Sequence, residues 1–373
     1  MPPNLKPGDP IDRYVVESVL GVGSMATVYG VRHSALDKRY AVKLLHTDDK
    51  GLQERLMREG RLQASLEHPN IARVDDVFIH QGAPALLMER VDGPDLYQWL
   101  HSYKPTLDEA LAVFGGILSG VQVAHNAAVT HRDLKPGNIL MHLAPDGTLV
   151  PKVLDFGLAK ALDPKGTNKT TAGEPLGTPW YMAPEQIKDA SKADQRADIF
   201  SLSCILYEMV TGTVCFGEDD VLETYRRIAT GAYPPPRDFV SDLPYNVTTA
   251  IEYGLIADPA KRTQDCGALG RALWKNDPWP TAVPAGPGVD HAKQLHQQYE
   301  AHRASSAPAS VGPGLSSVGS GQLLDDMAAA AQSASAAEAP KSWGPTIALA
   351  LAAMMLLTTM AVAAGAVAIV LLN

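Results

Sequence analysis

Three polar residues in the stretch "THRDLKPGNIL" could do chemistry together: Asp133, Lys135 and Asn138, gathered around Pro136 and Gly137. Proline and glycine at these positions exclude a regular helix, so the three side chains can converge from one loop. Convergence of this kind suits phosphoryl transfer. A carboxylate orients the attacking hydroxyl and takes its proton, a lysine balances the γ-phosphate, and an amide oxygen helps to hold a Mg²⁺ ion. Further along, "VLDFGLAK" places Asp155 after an apolar strand and before Gly157, the setting of a metal-binding carboxylate at a mobile loop.

The elements upstream would have to bring a nucleotide to that loop. "RYVVESVLG", the glycine-rich stretch "GVGSMATVYG" and "RYAVKLL" read as three β-strands, rich in Val, Tyr and Leu and separated by turn residues. Gly21, Gly23 and Val28 follow the pattern of a phosphate-covering loop, whereas Ala26 stands where a third glycine is usual. Short glycine patterns also occur as ordinary tight hairpins, and Lys43 in the third strand has an equally plain explanation on a wet strand face. The next segment, "GLQERLMREGRLQASL", has helical spacing with Leu52, Leu56, Leu62 and Leu66 on or near one face and Glu59 on the same stripe. A carboxylate turned inward needs a cation, and Lys43 on the neighbouring strand would supply it. The pair would then hold an ammonium under the glycine loop, within reach of the α- and β-phosphates.

Taken in order, these residues resemble a eukaryotic-type protein kinase, of the branch found in bacteria as membrane-associated Ser/Thr kinases. The resemblance runs from about Asp9 to Asn276, through the glycine loop, Lys43, Glu59, His131 to Asp133, Asn138, Asp155 to Gly157, Ala183 to Glu185, Asp198 and Arg262. It implies an α+β, bilobal fold with a β-rich N-lobe (11–88), a hinge (89–94) and a mainly helical C-lobe (95–276), after an N-terminal tail (1–10). It also implies ATP and Mg²⁺ as cofactors, with Mn²⁺ an alternative ion. Asp133 would be the catalytic base, with Lys135 and Lys43 assisting, and Asn138 and Asp155 the metal ligands. Leu20, Gly21, Val22 and Gly23 would cover the nucleotide, while Val28, Ala41 and Leu140 sandwich the base. Met88 would be the gatekeeper, and backbone groups of Glu89 and Val91 would read adenine. Glu185 with Arg262, and Asp198 beneath the catalytic loop, would be scaffold.

Lys135 and "GTPWYMAPE" resemble Ser/Thr rather than tyrosine kinases, with Thr178 directed toward Asp133 and Lys135, so protein substrates are implied. Thr167, Thr170 and Thr171 are candidate phosphosites of an activation loop, and Arg132 would receive the phosphate. Two departures stand out: Ala26, where positive φ would bring strain of about 1–3 kcal/mol, and Ser203, where the supporting helix usually carries glycine. A nucleotide-binding scaffold without turnover and a membrane-tied small-molecule kinase remain open at this level.

A net charge of -9 argues against a general nucleic-acid binder. Three cysteines without C-x-x-C spacing suggest neither a disulfide framework nor a zinc site and fit a reducing cytosol. Residues 277–345, rich in Ala, Ser, Gly and Pro, read as a disordered linker; "DHAKQLHQQYEAHR" within it could form a short helix, polar nearly all round, with no assigned role. Residues 346–372 are uncharged and mostly apolar, enough for a transmembrane helix of roughly 40 Å. The expectation is a single-pass protein of the inner cell membrane, its kinase domain cytoplasmic and no sizeable domain beyond the bilayer. Copies tethered in this way could associate and phosphorylate one another in trans.

Overall fold

The computed structural model describes residues 5–23, 26–47, 49–156, 179–218 and 220–306. Thr167, Thr170, Thr171, Thr178 and the apolar run 346–372 lie outside the described residues, as do residues 307–345 of the linker. The N-lobe is a six-stranded antiparallel sheet in the order β1-β2-β3-β4-β6-β5. Its strands are β1 (Pro10–Ile11), β2 (Tyr14–Val22), β3 (Ala26–His33), β4 (Arg39–Leu45), β5 (Val74–His80) and β6 (Ala83–Glu89). Alternation along β2 and β3 sends apolar side chains to two clusters. One contains Tyr14, Val16, Tyr29, Val31 and Val42, and the other, on the cleft side, Ala26, Ala41, Leu56, Leu86 and Met88. The expected N-terminal tail is partly structural: Leu5 is buried in the first cluster and β1 pairs with β2.

Helix α1 (Lys50–Ala64) begins at Asp49, whose side chain accepts a hydrogen bond from the Leu52 amide. Its buried residues are Leu56, Gly60 and Gln63, while Leu62, expected on the inner stripe, is 44% exposed. Gly60 lets the helix lie against Val77, whose methyls stand 3.2 Å from where a Cβ would be.

The C-lobe holds α2 (Leu96–Ser102), α3 (Leu107–Asn126) and the hairpin β7 (Ile139–Leu143) and β8 (Leu149–Val153). There follow α4 (Pro184–Asp189), α5 (Gln195–Thr211), α6 (Val221–Thr230), α7 (Tyr245–Gly254), α8 (Cys266–Trp274) and α9 (Pro287–Ser306). Capping boxes at Asp95 and Thr106 start α2 and α3. By length and composition α3 would pass for a membrane span, but its apolar residues pack in the C-lobe core. From Ala197 to Thr211 every residue of α5 is buried, which makes it the axis of the lobe. Ser203, the departure from glycine, is accommodated there by an exchange. Its hydroxyl donates to the Ile199 carbonyl at 2.8 Å, and the space comes from Gly254 of α7, where a Cβ would lie 1.8 Å from the Ser203 oxygen.

The domain does not end at residue 276. Val283 exchanges backbone hydrogen bonds with Leu149 at 2.9 and 2.8 Å, and Val283, Val289 and Ala292 are core residues. Residues 277–306 are therefore part of the folded unit, not of the linker. Their backbone also lies close against the lobe: α3 carries Gly115 and Gly116, whose missing Cβ atoms would stand 2.1 Å from the Pro280 carbonyl oxygen and 2.7 Å from that of Thr281.

Candidate active site

Asp198 on α5 organises the catalytic loop from below. Its Oδ2 accepts the His131 amide at 2.8 Å and His125 Nε2 at 2.7 Å, and its Oδ1 accepts the Arg132 amide at 2.8 Å. His131 in turn donates from Nε2 to the Leu154 carbonyl at 2.7 Å, and its Nδ1 accepts the Asp133 amide at 3.2 Å. This chain of bonds ties the loop around Asp133 to the residue just before Asp155. Phe156 is buried, edge-on to the His131 ring at 4.9 Å. Arg132 and Asp155 hold left-handed backbone angles, φ 69° and 61°. Strain at both sites, uncommon for non-glycine residues, is offset by the bonds just described.

The expected convergence is present. Lys135 Nζ donates to both carboxylate oxygens of Asp133 at 2.9 and 3.1 Å, and Asn138 Nδ2 donates to the Asp133 carbonyl at 2.7 Å and to its Oδ2 at 3.0 Å. Asp133 is half exposed, so the carboxylate is open to an incoming hydroxyl. Asn138 ends a 3-10 turn over Pro136–Asn138, from which β7 starts.

The lysine pairing differs from expectation. Lys43 Nζ lies 2.6 Å from Asp155 Oδ2, with the two side chains only 17% and 23% exposed. The Glu59 carboxylate instead meets Arg58 Nε at 4.0 Å. Glu59 shares the inward stripe of Leu56, Gly60 and Gln63, and its side chain is only 12% exposed, yet it does not reach Lys43, whose partner is Asp155. Asp155 Oδ1 is buried and has no hydrogen-bond partner among the described residues. A buried carboxylate oxygen in that condition is what a divalent cation would satisfy, with the Asn138 side chain as second donor.

Of the residues expected to cover the nucleotide, Leu20, Val28, Ala41 and Met88 pack with Ala26 in the cleft-side cluster. Leu154, which the sequence does not single out, joins them. Leu140 lies on β7, paired with Lys152 of β8. Ala26 needs no positive φ: it opens β3 opposite Leu45, and its methyl fills the cluster, so the anticipated strain is absent. Gly21 pairs with Val28 and Val22 with Thr27, and the Gly23 amide donates to the Ala26 carbonyl at 2.8 Å, which closes the hairpin. At the hinge, the Glu89 side chain accepts Lys152 Nζ at 2.8 Å and the Arg73 amide at 2.9 Å. Val91 makes no backbone hydrogen bond with any described residue, which leaves its N–H and C=O for a base. Gly93, at φ 152°, passes the Met141 carbonyl where a Cβ would clash at 1.8 Å.

Glu185 and Arg262 form the predicted bidentate pair at 2.7 and 2.9 Å. Arg132, which was expected to face a phosphate, donates from Nη1 to the Ala190 carbonyl at 3.4 Å, and its buried Nε has no partner among the described residues.

Comparison with known proteins agrees with this geometry. A family model described as the protein kinase domain matches residues 14–275. The chain is 35% identical over 266 residues to a probable serine/threonine-protein kinase of Streptomyces coelicolor, covering 69% of this chain and 39% of that one. It is 35% identical over 268 residues to the serine/threonine-protein kinase Pkn3 of Myxococcus xanthus, covering 70% and 48%. The chain thus spans about two fifths to a half of the length of these curated relatives. Among solved structures, the PknI kinase domain of Mycobacterium tuberculosis shares the fold, with a TM-score of 0.57 at 24% identity over 72% of this chain and 98% of that one. Rad53 residues 1–466, solved in complex with AMP-PNP, gives a TM-score of 0.58 at 28% identity over 72% and 65%. Fold, loop geometry and sequence agree that this chain belongs to the protein kinase family, in the branch of bacterial serine/threonine kinases.

Proposed function

We propose that the chain transfers the γ-phosphoryl group of ATP to serine or threonine hydroxyls of protein substrates. The observation that carries this reading is the half-exposed Asp133 carboxylate, held by Lys135 and Asn138, together with the partly buried Lys43 and Asp155 pair. Adenine would pack between Leu20, Val28 and Ala41 above and Leu140 and Leu154 below, with Val91 reading its edge. Lys43 would exchange Asp155 for the α- and β-phosphates. Asp133 would accept the substrate hydroxyl proton while Lys135 offsets charge on the transferred group. Mg²⁺, held by Asp155 and Asn138, would neutralise phosphate charge when bound.

Two regulatory features go with this reading. An inward shift of α1 would bring Glu59 to Lys43 as Asp155 takes up its metal role. Phosphorylation at Thr167, Thr170 or Thr171 would give the Arg132 guanidinium an anionic partner, and Thr178 would face the acceptor hydroxyl. Residues 346–372 are long and apolar enough to anchor the chain in the cell membrane, with the kinase domain in the cytoplasm. Anchored copies would be placed to phosphorylate one another.

The test is transfer from radiolabelled ATP to a protein acceptor by the purified chain, with Lys43→Met and Asp155→Asn. Both variants should fold and lose phosphoryl transfer, since each removes charge that acts on the phosphates. Near-full activity in either would refute the site. Extraction of the full chain from membranes by carbonate alone, without detergent, would refute the anchor.

A further inference from the structure

Helix α9 carries contacts that catalysis as described above does not use. Its first half is fastened to the C-lobe. Trp99 Nε1 donates to the Gly288 carbonyl at 3.0 Å, the Gly288 amide donates to Glu109 Oε1 at 3.0 Å, and Val289 and Ala292 are fully buried. His291 stacks on Tyr103 with ring centroids 5.2 Å apart and meets the Ser102 hydroxyl at 2.9 Å. From Gly288 to Tyr299 the helix rises about 17 Å, and at that distance its contacts change lobe. Glu300 Oε1 stands 3.3 Å from Arg90 Nη2 at the hinge, and the Tyr299 hydroxyl donates to the Leu20 carbonyl at 3.1 Å.

Leu20 is the residue from which the glycine-rich hairpin departs, and its side chain belongs to the cluster that would cover adenine. Arg90 lies beneath the same hairpin. Its Nη1 is 3.0 Å, and Leu20 Cδ2 3.4 Å, from where a Cβ on Gly30 of β3 would be. The hairpin beyond Leu20 is open, with nothing within 4 Å of a Cβ added at Gly21. A loop of that kind loses conformational freedom when a nucleotide orders it, and a fixed point at its base lowers that cost.

We infer that α9 is a positioning element of the nucleotide site: Tyr299, braced from the C-lobe and seated beside the Arg90 and Glu300 pair, holds the base of the glycine-rich hairpin in its ATP-binding position. The inference rests on the kinase reading. Its role is in ground-state binding of the nucleotide, since the Tyr299 hydroxyl meets the Leu20 carbonyl at the base of the hairpin and the side chain is 41% exposed, away from the core.

The experiment uses the full chain in detergent, with ATP binding followed by calorimetry and phosphoryl transfer by steady-state kinetics. Tyr299→Phe removes one hydroxyl and should raise both the dissociation constant and the KM for ATP about two- to tenfold, the worth of one hydrogen bond, with kcat and melting temperature unchanged. Lys293→Ala, on the same helix and, among the described residues, paired with Asp290, should change none of these. Unchanged ATP affinity in Tyr299→Phe, in a chain that otherwise binds and turns over ATP, overturns the inference alone. Tighter ATP binding in that variant also overturns it, because α9 would then restrain the hairpin. Absence of ATP binding by the unaltered chain overturns both the inference and the kinase reading.

Discussion

Replacement of Glu185 by glutamine should be among the most damaging single changes outside the catalytic residues. The side chain of Arg262 is fully buried, and all its donors are used. Nε donates to the Ile256 carbonyl at 2.9 Å, Nη1 to Glu185 Oε1 and the Arg196 carbonyl at 2.7 Å each, and Nη2 to Glu185 Oε2 at 2.9 Å and the Ala257 carbonyl at 3.2 Å. The guanidinium also stacks 5.0 Å from the centroid of Phe200. Three neutral carbonyls cannot offset a buried cation, so its charge is carried by Glu185. Glu185→Gln retains one acceptor, turns an NH₂ group toward Nη2 and leaves the charge uncompensated, at a cost of about 3–5 kcal/mol. Arg262→Met strands the carboxylate, which is 17% exposed and retains some hydration, so its cost should be at the lower end of that range. Because each single change exposes the same unpaired interaction, the double variant should cost less than their sum by about 1–3 kcal/mol. Urea unfolding followed by fluorescence would measure all three, with Trp180 close to the affected segment. A cost for Glu185→Gln below about 1 kcal/mol, or additivity within about 0.5 kcal/mol, would refute the claim that the pair fastens the segment around Ala183–Glu185 to the lobe.

Stability should also fall in mild acid. Burial, then the Lys152 ammonium, pushes the imidazoles of His68 and His142 below their ordinary value of 6.5. The unfolded chain then takes up protons first, so this contribution is present above about pH 6.5 and lost as pH falls below it. Urea midpoints between pH 7.5 and 5.5 should show the decline, and His68→Gln/His142→Gln should flatten it. Gly115→Ala places a methyl 2.1 Å from the Pro280 carbonyl and should cost about 1–3 kcal/mol. Its signature would be faster protease cleavage within residues 277–306, and unchanged cleavage would count against their docking on α3. Finally, mass spectrometry of active protein should find phosphate between Thr167 and Thr178, and Thr170→Ala/Thr171→Ala should reduce activity, as should Arg132→Ala.

What the sequence makes legible in the site is chemistry packed into short stretches. Asp133, Lys135 and Asn138 lie within six residues, and the turn that gathers them is written in Pro136 and Gly137, so their convergence follows from local geometry. Asp198 and the Glu185 and Arg262 pair are legible only through the family resemblance, because their partners lie 66 to 77 residues away. The partner of Lys43 is not legible by either route. Spacing puts Glu59 on the inward stripe with Leu56, Gly60 and Gln63, where its side chain is only 12% exposed, but spacing does not say how close that stripe comes to Lys43. That separation decides whether Glu59 or Asp155 neutralises the lysine, and periodicity carries no information about it.

The folded segment 277–306 is hidden in the sequence for a different reason. Composition measures side chains, and the few apolar ones of α9, Val289 and Ala292 among them, are too sparse to stand out, while much of the segment is held through main-chain groups. The carbonyls of Thr281 and Gly288, and the amides of Val283 and Gly288, bond to Asn70, Trp99, Leu149 and Glu109. The signal therefore lies in the surfaces that receive the segment. Gly115 and Gly116 stand in the middle of α3, and Gly270 of α8 would put a Cβ 2.0 Å from the Trp279 ring. Glycine inside a helix costs roughly 1 kcal/mol against alanine, and three such positions facing one strip of surface imply a chain running over it. The same strip leads to Tyr299 and the base of the glycine-rich hairpin. A protein cut at the end of the recognisable family match, near residue 275, would therefore keep every catalytic side chain and lose the support beneath its nucleotide loop.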